Sequence, residues 1–140
     1  MSLYLDASVL IPLVVEEDAS ALVETALRNA RQELIASEYA AAEAASGVSR
    51  LVRMEQLTPA AAAEALADLD AWRLGSTAAV DIEASDVRLA HIYVRRFETK
   101  LRAGDAMHLA VCRRLGATLM TLDQGLKVAA DMLGVACADP

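Results

Sequence analysis

The chain opens with MSLYLDASVL, residues 1–10, where a short apolar run meets an acid. Leu3, Tyr4 and Leu5 have the character of a buried strand, and the residues after Asp6 are apolar enough to form a helix. Asp6 therefore lies where the first core strand gives way to a helix. A helix N-cap is the ordinary explanation of one such acid, so the interpretation of Asp6 depends on what the rest of the chain places beside it.

Strand and helix patterns alternate from this stretch to the end of the chain. Strands are predicted over residues 3–6, 33–36, 79–82, 117–121 and 135–138. Helices are predicted over residues 7–14, 19–30, 38–54, 59–74, 84–98, 104–115 and 124–133. Because short strands separated by helices favour a parallel sheet covered on both faces, the predicted fold class is α/β.

Capping residues indicate where several of these helices begin and end. Asp18 is predicted to N-cap the helix at 19–30, and Ser37 is predicted to N-cap the next one. Thr58 followed by Pro59 is a strong start signal, because proline suits the first helical position. Three glycines are predicted to end helices, namely Gly75, Gly116 and Gly134.

The composition predicts one domain over residues 1–140 with an aliphatic core. A length of 140 residues suits a single domain, and 56% of the residues are apolar while only 4% are aromatic. The chain has no run of about 20 apolar residues and no secretion signal, so we expect a cytoplasmic protein without a membrane span. Cys112 and Cys137 form no CxxC pair, so we expect two reduced, buried thiols and neither a disulfide nor a zinc site.

Charge is distributed unevenly along the chain. The net charge of −7 at pH 7 argues against a nucleic-acid partner, because affinity for phosphate comes from Lys and Arg. Residues 86–127, however, hold eight basic and four acidic side chains, which makes this segment basic within an acidic protein. The segment is suited to follow the backbone of a single nucleic-acid strand, and it is equally typical of solvated helix faces.

Two acids are predicted to meet at one edge of the sheet. Asp6 is the last residue of the strand predicted at 3–6, and Asp123 follows the strand predicted at 117–121, in the stretch LMTLD at 119–123. Ligands bind just beyond the carboxyl ends of the strands in open parallel sheets. Two acids at this edge are harder to explain as helix caps than one, so both are candidate site residues.

Two further acids lie on predicted helices. Glu43 has small, uncharged helical neighbours, and an acid on such a packed face is unfavourable unless it is paired or binds a metal. A solvent-facing Glu43 is the alternative, and Glu38 is assigned to the first turn, where the helix dipole favours an anion. Asp105 opens the helix at 104–115 as a site acid or a capping acid. His108, one turn further on, either orients Asp105 or is an ordinary core or surface histidine.

Carboxylates gathered at one sheet edge repel each other unless a cation compensates their charge. A set of oxygen ligands without a His or Cys cluster favours a hard ion, Mg²⁺ or Mn²⁺, over Zn²⁺. Such a site supports attack of water on a phosphodiester, because the ion lowers the pKa of the water and neutralises charge on the phosphate oxygens. The acids therefore indicate a metal-dependent hydrolase.

Four motifs in order make the chain resemble the PIN-domain nucleases, and within them the VapC-type toxins of VapBC toxin–antitoxin pairs. LYLDASVL at 3–10 is similar to the first motif, an apolar strand followed by Asp and a hydroxyl residue two positions later. IASEYAAAEAASGVSR at 35–50 is similar to the second, whose acid lies six residues after the serine, which selects Glu43. GDAMHLAVCRRLGATLMTLD at 104–123 is similar to the third and fourth.

The resemblance implies an endoribonuclease with a three-layer α/β/α fold and a short-stranded parallel sheet. It implies that Mg²⁺ or Mn²⁺ is the cofactor and that four catalytic acids hold it and activate water, namely Asp6, Glu43, Asp105 and Asp123. Ser8 and Thr121 match hydroxyl positions that support the metal shell or a phosphate. The resemblance further implies an RNA substrate, a homodimer and a small antitoxin partner that blocks the site.

Other interpretations of the same residues stay open at this point. A PIN-like module that has lost activity would bind RNA or a protein partner without hydrolysis. A phosphatase of the haloacid-dehalogenase type also begins with an Asp at a strand end, but it needs a second acid two residues later, where this chain has Ser8. The alanine-rich helices at 38–53 and 59–74 either form a groove for the antitoxin or belong to the core.

Overall fold

The computed structural model describes all 140 residues, Met1–Pro140, and is built around one parallel sheet. Its five strands are β1 (Ser2–Leu5), β2 (Glu33–Ser37), β3 (Ala78–Val80), β4 (Thr118–Met120) and β5 (Cys137–Ala138). Its α-helices are α1 (Ala7–Leu10), α2 (Ser20–Asn29), α3 (Glu38–Arg53), α4 (Pro59–Ser76), α5 (Ala84–Val94), α6 (Ala103–Leu115) and α7 (Gln124–Leu133). None of these helices combines the length and the apolar character that crossing a bilayer requires. Short parallel strands separated by helices confirm the predicted α/β class.

The strand order β3-β2-β1-β4-β5 places the first strand in the middle of the sheet. The chain moves outward from β1 through β2 to β3, and then returns to the other side of β1 with β4 and β5. β1 and β4 therefore flank the point where the direction of winding reverses, and the crevice beyond their carboxyl ends is the usual ligand site of such sheets. Their register pairs Leu5 with Met120, so Asp6 and Thr121 emerge side by side.

The side chains of β1 alternate between two hydrophobic layers, as expected for a strand buried on both faces. Leu3 and Leu5 pack in a core with buried residues of α1, α2, α3 and α4. Tyr4 packs on the opposite face with buried residues of α5, α6 and α7. The helices thus cover both faces of the sheet, which confirms the three-layer α/β/α arrangement.

Local capping explains the helix boundaries that the sequence predicts correctly. The hydroxyls of Ser37 and Thr58 each accept a backbone N–H from the first turn of α3 and α4, at 3.0 and 3.1 Å. Gly116 and Gly134 follow α6 and α7 with φ of 62° and 68°, a left-handed conformation that glycine adopts without steric strain. These four residues fix helix ends through contacts within a few residues of themselves.

Asp18 does not cap α2, contrary to the prediction. The helix begins at Ser20, and Ala19 occupies the N-cap position without a side-chain hydrogen bond. The buried hydroxyl of Ser20 accepts the N–H of Glu17 at 2.9 Å and donates to the carbonyl of Val15 at 3.2 Å. The turn before α2 is therefore held by Ser20 from within the helix, and Asp18 is left exposed.

Three further helix ends differ from the prediction. The helix predicted over 7–14 is shared between α1 and a 3₁₀ turn over Ile11–Leu13, which contains a proline. α4 passes through Gly75, whose φ is not positive, and ends one residue later. α5 stops at Val94, well before residue 98, and a separate 3₁₀ turn covers Phe97–Thr99.

Both cysteines are free thiols, as predicted, but only one of them is buried. Cys112 lies in the core layer that contains α6. Cys137 is exposed because it belongs to β5, a two-residue strand at the edge of the sheet. The predicted burial of Cys137 is therefore wrong.

Candidate active site

Asp6 is the first residue after β1 and the N-cap of α1, so the capping interpretation of this acid is correct. Its Oδ1 accepts the N–H of Val9 at 3.3 Å and the hydroxyl of Ser8 at 2.6 Å. Its Oδ2 accepts the hydroxyl of Thr121 at 2.5 Å. Only 4% of Asp6 is exposed. Capping therefore explains the hydrogen bond from Val9, but it does not explain why the negative charge of Asp6 is buried.

Ser8 and Thr121 hold the two turns at this edge of the sheet together. Their hydroxyl oxygens lie 3.2 Å apart, with Ser8 after β1 and Thr121 after β4. The Ser8 hydroxyl accepts the N–H of Leu122 at 2.8 Å, and the Thr121 hydroxyl accepts the N–H of Asp123 at 3.1 Å. Because both hydroxyls also donate to Asp6, they fix its carboxylate relative to β4.

No Lys or Arg side chain compensates the charge of Asp6. The buried Asp86, by contrast, receives two hydrogen bonds from Arg114, at 2.9 and 2.8 Å. Burial raises the pKa of both carboxyls, but Arg114 brings the pKa of Asp86 below its ordinary value, whereas the pKa of Asp6 stays raised. No Lys or Arg forms an ion pair with Asp6, Asp105 or Asp123. Since a lone buried carboxylate is unfavourable, this edge of the sheet is suited to a bound cation.

Glu43 lies on α3 and is hydrogen-bonded to His108 of α6. The distance between Glu43 Oε2 and His108 Nε2 is 2.5 Å, and the side chain of Glu43 is 34% exposed, so it is partly enclosed rather than solvent-facing. Burial is the largest single influence and raises the pKa of Glu43, but the interactions with His108 and Tyr39 together bring the pKa below its ordinary value. Glu38 instead forms an ion pair with Arg73 at 2.7 Å on the surface. Of these two glutamates, the structure brings Glu43 to the site.

Gly104 allows the start of α6 to approach α3 closely beside Glu43. A Cβ added at residue 104 would lie 2.7 Å from Glu43 Oε1 and 2.9 Å from the hydroxyl oxygen of Tyr39. Distances this short would force the neighbouring side chains to move. The missing side chain therefore makes room for the Glu43 carboxylate at the N-terminus of α6.

Three of the four predicted acids line one cleft. Its volume is about 610 Å³, and its lining residues are Tyr39, Glu43, Arg102, Gly104, Asp105 and Asp123. Burial raises the pKa of Asp105, and the negative charges of Asp123 and Glu43 raise it further, so these acids are close enough to repel each other. The fourth acid, Asp6, is joined to this group through the Thr121 hydroxyl, which donates to Asp6 and accepts the N–H of Asp123.

The sequence as a whole matches a known family. A model of the PIN domain matches residues 3–132. This chain belongs to the PIN domain family. The match confirms the resemblance that the four motifs indicate. A search among curated proteins finds no match in sequence.

Solved structures that share this PIN fold include toxins and their complexes. VapC20 from Mycobacterium tuberculosis, described as a sarcin-ricin loop cleaving toxin, superposes with a TM-score of 0.73 at 18% identity, covering 91% of this chain and 94% of that one. VapBC2 from Rickettsia felis, bound to a DNA fragment from its promoter, superposes with a TM-score of 0.71 at 16% identity. The match covers 100% of this chain and 99% of that one. A toxin–antitoxin complex from Klebsiella pneumoniae superposes with a TM-score of 0.59 at 18% identity. The match covers 88% of this chain and 87% of that one. At these identities the similarity shows a shared fold.

The residues of this PIN domain fit a divalent cation, although no three His, Cys, Asp or Glu side chains converge into a closed ligand set. Three of the four acids are each held by a neighbour instead: Asp6 by two hydroxyls, Glu43 by His108, and Asp123 by a backbone N–H of α7 at 3.0 Å. Mg²⁺ keeps several of its waters and is usually bound by one or two protein carboxylates. Oxygen donors, the uncompensated Asp6 and the raised pKa of Asp105 therefore suit such an ion.

The aromatic groups around Glu43 were not predicted from the sequence. Of the two alternatives for His108, the structure shows a buried core histidine that does not orient Asp105, because both of its ring nitrogens are engaged by Tyr4 and Glu43. The rings of Tyr4 and Tyr39 are tilted against the imidazole, with centroids 5.6 and 5.4 Å away. A tyrosine between the leucines of β1 is the signal that could have indicated a buried partner, because buried tyrosine hydroxyls usually find one.

Proposed function

We propose that this protein is an endoribonuclease that hydrolyses RNA phosphodiester bonds with a divalent cation, and that it is the toxin of a type II toxin–antitoxin pair. The observation that carries the proposal is a cleft lined by three acids at the switch point between β1 and β4, joined there to the buried, uncompensated Asp6. Membership of the PIN domain family supports the proposal. The shared fold with VapC20, a sarcin-ricin loop cleaving toxin, supports RNA as the substrate.

Mg²⁺ or Mn²⁺ is the proposed cation, and four acids would hold it, directly or through the waters that such an ion keeps: Asp6, Glu43, Asp105 and Asp123. When bound, such an ion lowers the pKa of a water and offsets the charge that develops on the phosphate. The hydroxyls of Ser8 and Thr121 hold both oxygens of Asp6, so this carboxylate keeps one orientation. Glu43, whose pKa is lowered, is ionised at neutral pH, and its Oε1 can accept a hydrogen bond from a water in the cleft.

Two basic side chains at the cleft are suited to contact the RNA backbone. Arg102 lines the acidic cleft, and Lys100 and Arg102 line a neighbouring cleft of about 430 Å³ that shares three of its lining residues. Neither side chain forms an ion pair within the protein. Other cations of the segment 86–127 are engaged elsewhere, such as Arg114 with Asp86. We therefore assign phosphate contacts to Lys100 and Arg102 rather than to the whole basic segment.

A second cleft supports the proposal of an antitoxin partner. It has a volume of about 610 Å³, contains none of the four acids, and lies between α2 and α4 with five apolar side chains in its lining: Leu13, Val14, Leu27, Leu34 and Trp72. Of the two alanine-rich helices, α3 buries Ala40 and Ala44 in the core, whereas α4 contributes Trp72 to this cleft. An apolar segment of a small partner fits such a surface, and the Klebsiella pneumoniae relative in fold is a toxin–antitoxin complex.

The assembly proposed for the chain is a homodimer in the cytoplasm. A reducing compartment suits the exposed Cys137, which is a free thiol. Light scattering of the purified protein tests the assembly: we expect twice the chain mass of 14.9 kDa. A single-chain mass at micromolar concentration contradicts the dimer.

The direct test of the function is RNA cleavage by the Asp6→Asn variant, which removes the buried charge and keeps the size of the side chain. We expect the parent to cleave RNA in Mn²⁺ or Mg²⁺ and not in chelator. The variant should lose at least about 100-fold in rate with an unchanged circular dichroism spectrum. Glu38→Gln is the matched control, because it removes a surface carboxylate outside the cleft, and it should cleave like the parent. Undiminished cleavage by Asp6→Asn contradicts the assignment.

A binding module without hydrolytic activity is the second candidate function. The acids do not converge into a closed ligand set, and this observation favours it. Such a module would bind RNA or a protein partner through the same surface without changing either. RNA that is retained but not cleaved in Mn²⁺ supports this candidate, and Mn²⁺-dependent cleavage excludes it.

A further inference from the structure

A chain of buried hydrogen bonds runs from the end of β2 through β1 and α6 to Glu43. The hydroxyl oxygens of Ser37 and Tyr4 lie 2.7 Å apart, and the Tyr4 hydroxyl oxygen lies 2.8 Å from Nδ1 of His108. Nε2 of His108 lies 2.5 Å from Oε2 of Glu43. Ser37, Tyr4 and His108 are each at most 2% exposed, so bulk water does not compete for the two hydrogen bonds that join them.

One arrangement of hydrogens satisfies every group in this chain. The oxygen of Ser37 already accepts the N–H of Ala40 at 3.0 Å, and Tyr4 is the only other hydrogen-bond partner of its hydroxyl. Ser37 therefore donates to Tyr4, which donates to Nδ1 of His108. Nδ1 then carries no proton, so the ring is neutral and its Nε2–H is donated to Glu43. The opposite direction would leave the Ser37 proton buried without an acceptor, which is unfavourable.

Neighbouring groups hold both the imidazole and the carboxylate in place. Tyr4 and Tyr39 pack against the imidazole of His108 with ring centroids 5.6 and 5.4 Å away. Burial raises the pKa of the Tyr4 phenol, so its hydroxyl keeps the proton that it donates. Glu43 Oε1 lies against Gly104, where an added Cβ would be only 2.7 Å away. One oxygen of Glu43 is thus bound by His108, and the other lies beside Gly104 and the Tyr39 hydroxyl, two residues that also line the cleft.

We propose that His108 is a positioning residue for Glu43: its Nε2–H holds Oε2 so that Oε1 faces the cleft, and the two buried hydroxyls fix the tautomer that allows it. The inference rests on the proposed function, in which Glu43 helps to hold the cation. His108 itself touches neither the cation nor the RNA. Removing an outer partner of a metal ligand lowers metal affinity or activity about 10–100-fold, and this loss is the expected signature of His108.

Nitrogen-15 NMR of the two histidines in the metal-free protein tests the tautomer without any measurement of activity. His108 should show a protonated Nε2 and an unprotonated Nδ1, and its Nε2 proton should exchange slowly with solvent. His91, which is exposed on α5, is the internal control and should exchange fast. A proton on Nδ1 of His108, alone or together with one on Nε2, overturns the proposal.

Two substitutions of His108 separate positioning from packing. Leucine and glutamine both fill much of the space, but only glutamine can present an N–H toward Glu43. We expect His108→Leu to weaken Mn²⁺ binding, measured by calorimetry, about 10–100-fold, and His108→Gln to restore much of the affinity. Equal weakening in both variants, or none in His108→Leu, overturns the proposal.

Tyr4→Phe provides a milder variant that keeps the ring and removes only the hydroxyl. It should weaken Mn²⁺ binding in the same direction as His108→Leu but by less, and unchanged binding contradicts the role of Tyr4. A parent protein that binds no Mn²⁺ at all contradicts the proposed function instead. In that case the NMR tautomer still decides whether His108 holds Glu43.

Discussion

Each acid at the sheet edge has a different neighbour, and the neighbour decides what the acid can do. Asp6 is buried and held by two hydroxyls, so its charge is fixed in place without a counter-ion. Glu43 is held by an imidazole and has a lowered pKa. Asp105 faces the negative charges of Asp123 and Glu43, which together with burial raise its pKa. Asp105 is therefore the residue at which repulsion within the site can be measured.

Asp105→Asn should stabilise the metal-free protein at neutral pH. A raised pKa means that the folded state binds the proton more tightly than the unfolded state. The stability that this proton supplies is fully present at low pH and is lost as the pH rises through the folded-state pKa of Asp105. The variant should therefore unfold at higher urea concentration than the parent at pH 7 in chelator. The difference should shrink as the pH falls toward about 4. A difference that does not change with pH contradicts the repulsion.

The positions of the candidate acids in the fold could be predicted from the sequence, but their hydrogen-bond partners could not. Asp6, Asp105 and Asp123 stand at strand ends or helix starts, which the local pattern locates to within a few residues, and Glu43 stands on the small-residue face of α3. The hydrogen bond between Tyr4 and His108 joins residues 104 positions apart, and it exists only because α6 packs against β1. No local pattern in the chain specifies that contact, so the sequence left two roles open for His108 and indicated neither of its partners.

At the scale of elements, the close approach of α6 to α3 depends on Gly104. Alanine at this position suits a helix, since the φ of Gly104 is not positive. The atoms that its Cβ would meet, Glu43 Oε1 and the Tyr39 hydroxyl oxygen, are the ends of flexible side chains. Alanine would therefore displace the carboxylate and leave the helix intact.

Gly104→Ala and Gly75→Ala should separate the site from the fold. Gly75 lies within α4 with no atom within 4 Å of an added Cβ, so alanine there should raise the free energy of unfolding by about 0.5–1 kcal/mol and leave RNA cleavage unchanged. Gly104→Ala should lower cleavage and weaken Mn²⁺ binding without loss of stability in urea. Normal cleavage by Gly104→Ala contradicts the placement of Glu43 beside α6.

The boundaries of the helices also follow from the sequence only where the deciding contact is local. Ser37 and Thr58 cap α3 and α4 as predicted, because a cap is a contact between residues three apart. Asp18 is an equally good N-cap by type and Gly75 an equally good helix end, but Asp18 does not cap α2 and α4 does not end at Gly75. Ser20 holds the turn before α2 through its buried hydroxyl. The α/β class was predictable from the succession of elements, whereas the order of strands in the sheet follows from long-range packing.

For the whole molecule, a net charge of −7 must be reconciled with an RNA substrate. The acids repel phosphate unless a cation is present, so basic side chains close to the cleft matter more than the total charge. Arg102, at the start of α6, lines both clefts at the site. Arg113, near the end of α6, is exposed and lines neither of them. These two arginines offer a matched comparison.

Arg102→Gln should weaken binding of single-stranded RNA more than Arg113→Gln does. Each phosphate contact contributes about 0.7 to the slope of log affinity against log salt for single strands. We expect Arg102→Gln to reduce this slope by about 0.7, measured by fluorescence anisotropy in chelator so that no cleavage occurs. Equal slopes for both variants contradict an RNA contact at Arg102.

The central claim is that the acids at the carboxyl edge of β1 and β4 form a cation site. Thermal melts of the parent and of Asp105→Asn, in chelator and in Mn²⁺, test it most directly. Binding to the folded state alone stabilises the parent by about 2.7 kcal/mol when Mn²⁺ is at a hundredfold excess over its Kd. We predict a higher melting temperature for the parent in Mn²⁺ and a much smaller rise for the variant. No rise in the parent, or an equal rise in both proteins, contradicts the claim.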